Sequence, residues 1–314
     1  MNKILEIEFI KSGLQTLIQD IGRKGHEAFG VPMGGAMDLQ SYQLANWLVG
    51  NFLGSPVFEI TLLGPKIEFH QNAIISITGA NLSPKINDIE VPLYETLNVR
   101  KGTILSFGTI KNGCRTYLAI NGEWKINQWL GSYSAFPFNN NEATPDSLIN
   151  KGKIITINTQ NKISLKKIPK DLHPILNSSS DVRVMFGPEF ERFSKKNIAS
   201  FFSKKYKITS NSNRMGYQLD NQLLDYQPIN ELISSGIIPG TIQITHTGQP
   251  IILMKDAQTT GGYPRIVNVI KADLDKLGQL KPGDELRFEL VNLEEAQMAW
   301  KEKINFLEKI MKNY

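Results

Sequence analysis

Apolar and polar residues alternate over short stretches along most of the chain, and each stretch ends at turn-forming residues. Phe58-Glu59-Ile60-Thr61-Leu62 alternates with period two, the pattern of a strand with one buried face. Ala73-Ile74-Ile75-Ser76-Ile77-Thr78 is a more continuous β-prone run. Further runs follow at residues 103–107, 114–120, 153–157 and 182–186, then at 241–245, 251–254, 265–270 and 285–290. Gly, Pro, Asn or Asp bound each one and interrupt pairing. Such a series predicts a mainly β protein built from sandwiches or barrels, not from βαβ units.

Helical periodicity is rarer. Asp38 can N-cap a helix that runs through Val49 and closes at Gly50, with Leu39, Tyr42, Ala45, Leu48 and Val49 as its apolar stripe. A second helix is predicted over 189–204, carrying Phe190, Phe193, Ile198, Phe201 and Phe202, and a short one over 272–280. The last starts near Asn292. Its Leu293, Ala296, Trp300, Ile304, Leu307 and Met311 mark one face of a long amphipathic helix that packs back on the body or docks on a partner. The polar segment 166–180, with Pro169, Pro174 and Ser178-Ser179-Ser180, is the best linker candidate. It divides the chain into a domain over 1–170 and one over 181–314, between which segments may be exchanged.

The length of 314 residues suits two domains, and 41% hydrophobic residues allow a sizeable core. The net charge of +5 is spread over the chain, with short pairs such as Lys166-Lys167, Lys195-Lys196 and Lys204-Lys205. A nucleic-acid reader carries a denser basic stripe, so none is expected as a partner. An anionic substrate or an acidic protein surface fits the mild surplus. Cys114 is the only cysteine, which excludes an internal disulfide and suggests a reducing compartment; its strand-like setting suits a small buried hydrophobe. The N-terminus has no apolar signal-like core and no run of 18 apolar residues occurs, so a cytoplasmic location without a membrane span is expected. His26, His70, His173 and His246 lack metal-ligand spacing, so no metal is expected. A phosphate loop of the GxxxxGK[ST] type is absent from the sequence.

Four segments hold more glycine and functional polar groups than a core needs. In Gln19-Asp20-Ile21-Gly22-Arg23-Lys24-Gly25, Asp20 and Arg23 can pair, Arg23 can face an anion, or the segment is a looped entry to the first helix. In Thr78-Gly79-Ala80-Asn81, the Asn81 amide can hold a substrate oxygen, or the segment is a strand-ending turn. In Ser210-Asn211-Ser212-Asn213-Arg214-Met215-Gly216-Tyr217, Asn213 and Arg214 can bind substrate, the guanidinium fork suiting a carboxylate or phosphate. A pairing of Arg214 with an aspartate such as Asp220 is the competing reading. The fourth segment, residues 247–265, is the richest. An apolar strand delivers Lys255, Asp256, Gln258, Thr259 and Thr260 to a Gly261-Gly262 turn, with Arg265 beyond. Lys255 beside Asp256 can stabilise developing negative charge or shuttle protons, so both are candidate catalytic residues. Gln258, Thr259, Thr260 and Arg265 are candidate substrate-binding residues. A polar turn with a surface ion pair is the plain alternative.

Gln19-Asp20-x-Gly22-Arg23-x-Gly25, Gly35-Ala36-Met37-Asp38, Ala45-Asn46-x-Leu48-Val49-Gly50-Asn51, Glu59-Ile60-Thr61, Asn213-Arg214-Met215-Gly216-Tyr217 and Gln258-Thr259-Thr260-Gly261-Gly262-Tyr263-Pro264-Arg265 together resemble the allophanate hydrolase subunit 2, or biotin-dependent carboxyltransferase, family. That family includes the C subunit of 5-oxoprolinase, the Kip-type antagonist of a sporulation kinase, and the carboxyltransferase part of urea carboxylase. The resemblance spans about residues 13–290. It implies two cyclophilin-like β-barrel domains, a few short helices and a C-terminal amphipathic helix. It also implies ATP-dependent opening of the cyclic amide 5-oxoproline to L-glutamate by a heteromeric complex with homologues of the A and B subunits. ATP acts at the level of that complex, and biotin is not expected in this chain. Two other roles belong to the same family: allophanate hydrolase subunit 2 or a urea-type carboxyltransferase component, and a non-catalytic Kip-type regulator of a sensor kinase. The sequence departs from the family pattern at Asn121-Gly122, where a double glycine is expected. It departs again at Asn139-Asn140-Asn141 and Thr144-Pro145, where a glycine-rich loop ending in Gly-Arg is expected.

Overall fold

The computed structural model describes residues 3–136, 144, 146–159, 163–223 and 232–314; residues 137–143 and 145 of the departing stretch lie outside these. Two compact units are built. The first takes Met1–Arg23, Gly34–Leu176 and Lys309–Tyr314, the second Lys24–Met33 and Asn177–Glu308. The mainly β architecture expected from the sequence, with few short helices and a C-terminal helix, is the one observed.

The first unit contains strands β1 (Lys3–Lys11), β2 (Gln15–Gln19), β3 (Val57–Thr61), β4 (Lys66–Phe69), β5 (Ala73–Asn81), β6 (Lys85–Ile86), β7 (Ile89–Glu90), β8 (Thr96–Val99), β9 (Thr103–Ser106), β10 (Asn112–Ile120), β11 (Glu123–Trp124) and β12 (Ile154–Thr159). They form a seven-stranded sheet in the order β11-β12-β1-β4-β9-β6-β7 and a five-stranded sheet in the order β2-β3-β10-β5-β8. Alternate residues of both sheets make one core. Leu5, Ile7, Phe9, Ile67, Phe69 and Leu105 come from the larger sheet and Ile18, Phe58, Ile60, Ile75, Ile77 and Leu118 from the smaller. β1 is absent from the strands read off the sequence, although its apolar residues alternate with Glu6 and Glu8. Its pairing with β4 slips once: Phe9 faces Ile67 but Lys11 faces Lys66, so a β-bulge lies between Phe9 and Lys11.

Helix α1 (Leu39–Leu48) covers the outer face of the five-stranded sheet. Asp38 caps it as expected, accepting from the Ser41 N–H at 2.9 Å and the Ser41 hydroxyl at 2.6 Å. Tyr42, Ala45 and Val49 pack on Val57, Tyr117 and Ala119. Between these contacts the seam is polar. The hydroxyls of Thr78, Ser76 and Thr96 donate to the carbonyls of Ser41, Ala45 and Leu48, each at 2.7 Å. The start of the segment read as a linker is fastened to this unit. Lys166 N–H and C=O both bond to Thr96, and the Lys166 ammonium donates to the Trp47 carbonyl at 2.8 Å and lies 4.2 Å from its ring centroid. Burial there lowers the Lys166 pKa.

The second unit contains β13 (Ser179–Phe186), β14 (Tyr206–Lys207), β15 (Gly216–Gln218), β16 (Ser235–Gly236), β17 (Thr241–Ile244), β18 (Pro250–Leu253), β19 (Thr260–Gly261), β20 (Arg265–Val269) and β21 (Glu285–Leu290). Seven of them form a sheet in the order β14-β21-β13-β20-β17-β18-β15, while β16 and β19 form a separate ribbon. β13 and β21 are parallel and the neighbouring pairs antiparallel. The single helix predicted over 189–204 is broken. A 3-10 turn at Phe190–Arg192 is followed by α2 (Lys195–Ser203), because Ser194 is extended and its hydroxyl caps α2 through the Asn197 N–H. α3 (Leu274–Gly278) is short. α4 (Leu293–Asn313) opens with a reciprocal cap, in which Asn292 and Glu295 each accept from the other's N–H. Ala296, Ala299 and Trp300 pack with Ile270, Ala272 and Met185, whereas Leu293 and Ile304 of the predicted stripe are exposed. The buried face is therefore rotated from the predicted one.

Candidate functional site

β15 and β18 pair in the second unit with Gly216 opposite Leu253, and the pairing continues past both strand ends. Met254 N–H donates to Met215 O at 3.0 Å and Asp256 N–H to Arg214 O at 2.9 Å. The two segments singled out by their polar groups are thus brought together. Arg214 Nε donates to Asp256 Oδ2 at 2.7 Å and Nη2 to Oδ1 at 3.0 Å. Both residues are almost fully buried. The guanidinium fork expected for a substrate carboxylate holds a carboxylate of the protein, and Asp256, expected to move protons, accepts from Arg214 with both oxygens. Asp220 accepts instead from the Lys207 N–H at 2.6 Å. Lys255 is also buried. Asn213 is exposed, and its side-chain oxygen accepts from the Met215 N–H at 2.7 Å, which shapes the turn before β15.

Beyond Asp256 the chain leaves the sheet. Gln258 and Thr260 are exposed and Thr259 is half-buried. Thr260 and Gly261 are not a free loop: they pair with Gly236 and Ser235, and Ile237 N–H donates to Thr259 O at 3.0 Å. A Cβ on Gly261 would stand 2.7 Å from Gln243 Nε2, the mobile end of a side chain that donates to Tyr263 O. Arg265 closes the segment. Its Nε and Nη2 donate to the two oxygens of Glu189 at 2.8 and 2.6 Å, and Nη1 donates to Gly236 O at 2.9 Å. The hydrogen bonds from Arg265 hold the Glu189 carboxyl below its ordinary pKa. Arg265, expected to bind substrate, thus ties β20 to the 3-10 turn and to the ribbon.

A recess of about 300 Å3 opens beside the Gly-Gly-Tyr turn, lined by Leu232, His246, Gly262 and Tyr263. The rings of His246 and Tyr263 meet edge to face at 5.1 Å. Sequence reasoning weighed His246 only as a metal ligand. Its signal was its place in Thr245-His246-Thr247-Gly248, the turn that joins β17 to β18.

The other sequence-predicted residues stand in the first unit. Asn81 ends β5, where its side-chain oxygen accepts from the Ser83 N–H at 2.9 Å, the strand-ending turn of the two readings. Asp20 and the buried Arg23 converge on Ser132–Ser134. Asp20 accepts from both serine hydroxyls at 2.7 and 2.6 Å and from the Tyr133 N–H at 2.7 Å. Arg23 donates to the Ser134 carbonyl and lies 5.0 Å from the Trp129 ring centroid. Glu59 is buried and accepts from the Met37 N–H at 2.8 Å and the Tyr117 hydroxyl at 2.9 Å. Burial raises the Tyr117 pKa well above its ordinary value. Gln19 is fully buried at the end of β2, and neither atom of its amide has a hydrogen-bond partner among the described residues.

Within each β unit the motifs stand at strand ends and turns. Residues 29–290 match the model of the carboxyltransferase domain, subdomain A and B, and the chain belongs to that family. Among its relatives is the 5-oxoprolinase C subunit of Escherichia coli (strain K12), 33% identical over 304 residues that cover 97% of this chain and 97% of that protein. The urea amidolyase of Saccharomyces cerevisiae is also 33% identical, over 93% of this chain but only 17% of its own length. The crystal structure of the Kluyveromyces lactis urea amidolyase superposes with a TM-score of 0.88 at 31% identity, over 97% of this chain and 20% of that one. Among the described residues, no helix is long and apolar enough to cross a membrane.

Proposed function

We propose that the chain is the C component of an ATP-dependent 5-oxoprolinase, which with homologues of the A and B components opens 5-oxoproline to L-glutamate. End-to-end correspondence carries this reading: the match to the E. coli 5-oxoprolinase C component takes in 97% of both proteins. In the reaction water adds across the lactam C–N bond. The carbonyl carbon gains the hydroxyl, and the nitrogen takes the proton and departs as the amine. The chemistry asks for donors at the amide oxygen and a group that moves a proton. Gln258, Thr259 and Thr260 offer the polar contacts, and Lys255 offers positive charge. His246, on the recess beside Gly262, offers a ring nitrogen that can give or take a proton. Asn213, Arg214, Asp256 and Arg265 hold the backbone that carries these groups. ATP enters at the level of the complex, and this sequence holds no loop of the GxxxxGK[ST] type.

Mixing the chain with its A and B partners, 5-oxoproline and ATP is expected to release glutamate. Gln258→Ala and His246→Ala are expected to lower that rate at least about tenfold, the scale of one lost transition-state contact, without lowering the melting temperature. No glutamate from three folded proteins rejects the assignment. Full activity in both variants moves the site elsewhere. A carboxyltransferase role is the second reading, supported by the TM-score of 0.88 to the urea amidolyase. Avidin-sensitive carboxylation of urea in place of glutamate release would select it.

A further inference from the structure

The bulge in β1 has a consequence on the outer face of the seven-stranded sheet. Residues Leu5, Ile7 and Phe9 point into the core, so strict alternation would turn Lys11 inward as well. The slip against β4 sets Lys11 opposite Lys66 instead, on the face where Lys66 is half-buried between the inward Pro65 and Ile67. β4 pairs on its other side with β9, with Ile67 opposite Leu105, which brings Ser106 level with Lys66. Lys151 occupies the turn before β12, where Gly152 N–H donates to Phe9 O at 2.8 Å. Three lysines and a serine therefore stand side by side across adjacent strands.

These residues line a groove of about 490 Å3 together with Ser12, Gly13, Gly64 and Phe107, and no acidic residue lines it among the described residues. The floor is drawn close by glycines. A Cβ on Gly13 would stand 2.4 Å from Leu63 O, and one on Gly64 would stand 2.4 Å from the Phe107 ring. The next row of the same face holds Glu8 opposite Glu68, yet Glu8 pairs with His70 at 3.4 Å, and no ion pair joins this row to the lysines among the described residues. Like charges set directly opposite across two strands destabilise a sheet unless something neutralises them.

We infer that this groove binds a small, multiply charged anion through the ammonium groups of Lys11, Lys66 and Lys151, a phosphoryl or polycarboxylate group being the shared chemistry. The Ser106 hydroxyl supplies a further donor. The site lies wholly in the first unit and is independent of the 5-oxoproline reading.

The test is calorimetric titration of the folded full-length chain with pyrophosphate and with citrate. Saturable 1:1 binding with Kd below about 1 mM is expected for at least one of them. Lys11→Gln with Lys66→Gln should weaken it at least about tenfold, the loss of a charged hydrogen bond, while Lys11→Arg with Lys66→Arg retains it. The ligand-free Gln variant should melt at or above the wild-type temperature, because repulsion is relieved. Pyrophosphate binding alone marks a phosphoryl ligand, and citrate binding alone marks a carboxylate. Binding of neither anion, or undiminished binding by the folded Gln variant, overturns the proposal.

Discussion

The side chains of Arg214 and Asp256, 42 residues apart, form a two-point ion pair at 2.7 and 3.0 Å with almost no exposure to solvent. The pair fastens the strand end that presents Lys255 to the turn that precedes β15. Removing one member strands a buried charge, which costs about 3–5 kcal/mol. Asp256→Ala and Arg214→Ala are therefore expected to lose that much in urea denaturation. The double replacement Arg214→Met with Asp256→Leu should recover most of it, since a buried pair and a packed apolar contact are often of similar worth. Activity should not return with stability if the pair sets the geometry of the neighbouring turn.

Arg265 and Glu189 form the second clamp, with side chains only 15% and 13% exposed. Glu189→Ala should lower stability by about 2–3 kcal/mol, the loss of charge-assisted hydrogen bonds. The pH dependence follows from the lowered pKa of Glu189, caused first by its hydrogen bond from Arg265. The folded protein keeps this carboxylate charged at pH values where the unfolded chain has begun to take up a proton. The contribution is complete above the ordinary value of 4.5 and is lost as pH falls through the lowered value. Denaturation midpoints of wild type and Glu189→Ala, followed from pH 7 down to pH 3, should converge at the acid end.

Gly261→Ala places a methyl group 2.7 Å from Gln243 Nε2. A loss of about 1 kcal/mol is expected, because the Gln243 amide must shift and give up its bond to Tyr263 O. Shortening the partner in Gln243→Ala should restore part of it in the double variant. Equal losses with and without Gln243 would show that the cost arises elsewhere.

Gln19 gives a prediction of opposite sign. Its amide is fully buried and has no hydrogen-bond partner among the described residues. Gln19→Met should raise the free energy of unfolding by about 1–2 kcal/mol, because an unmet polar group is replaced by an apolar one of similar volume. A loss of glutamate release in this more stable protein would mark Gln19 as retained for function.

Ten of the 21 strands among the described residues, and α1, were legible because their apolar residues repeat at fixed periods and Asp38 and Gly50 punctuate the helix. β1 was missed although its period is clear, because the N-terminus was read only for a signal-like core. The helix predicted over 189–204 failed at Ser194, where a capping hydroxyl outweighs apolar spacing. The polar side chains of 247–265 stand at a strand end and a turn, as read, but the partners of Arg214 and Arg265 were not legible. Nothing local in a sequence tells Arg214 that Asp256 rather than Asp220 will face it, or Arg265 that Glu189 will. Those choices are made by the pairing of β15 with β18 and by the position of the turn at Phe190–Arg192. His246 was passed over because a lone histidine gains meaning only from the recess around it.

The three hydroxyls under α1 set a constraint of another kind. Thr78, Ser76 and Thr96 meet the carbonyls of Ser41, Ala45 and Leu48, three points along one line of the helix. Oil-like contacts tolerate a small slide or roll, whereas donors buried at fixed places do not. A helix displaced by one residue would leave all three hydroxyls unmatched, at about 1 kcal/mol or more each. The seam thus acts as a keyed joint: it adds little to the depth of the native well and much to its narrowness. The loop that carries Met37 and Asp38 into α1 inherits that fixed address.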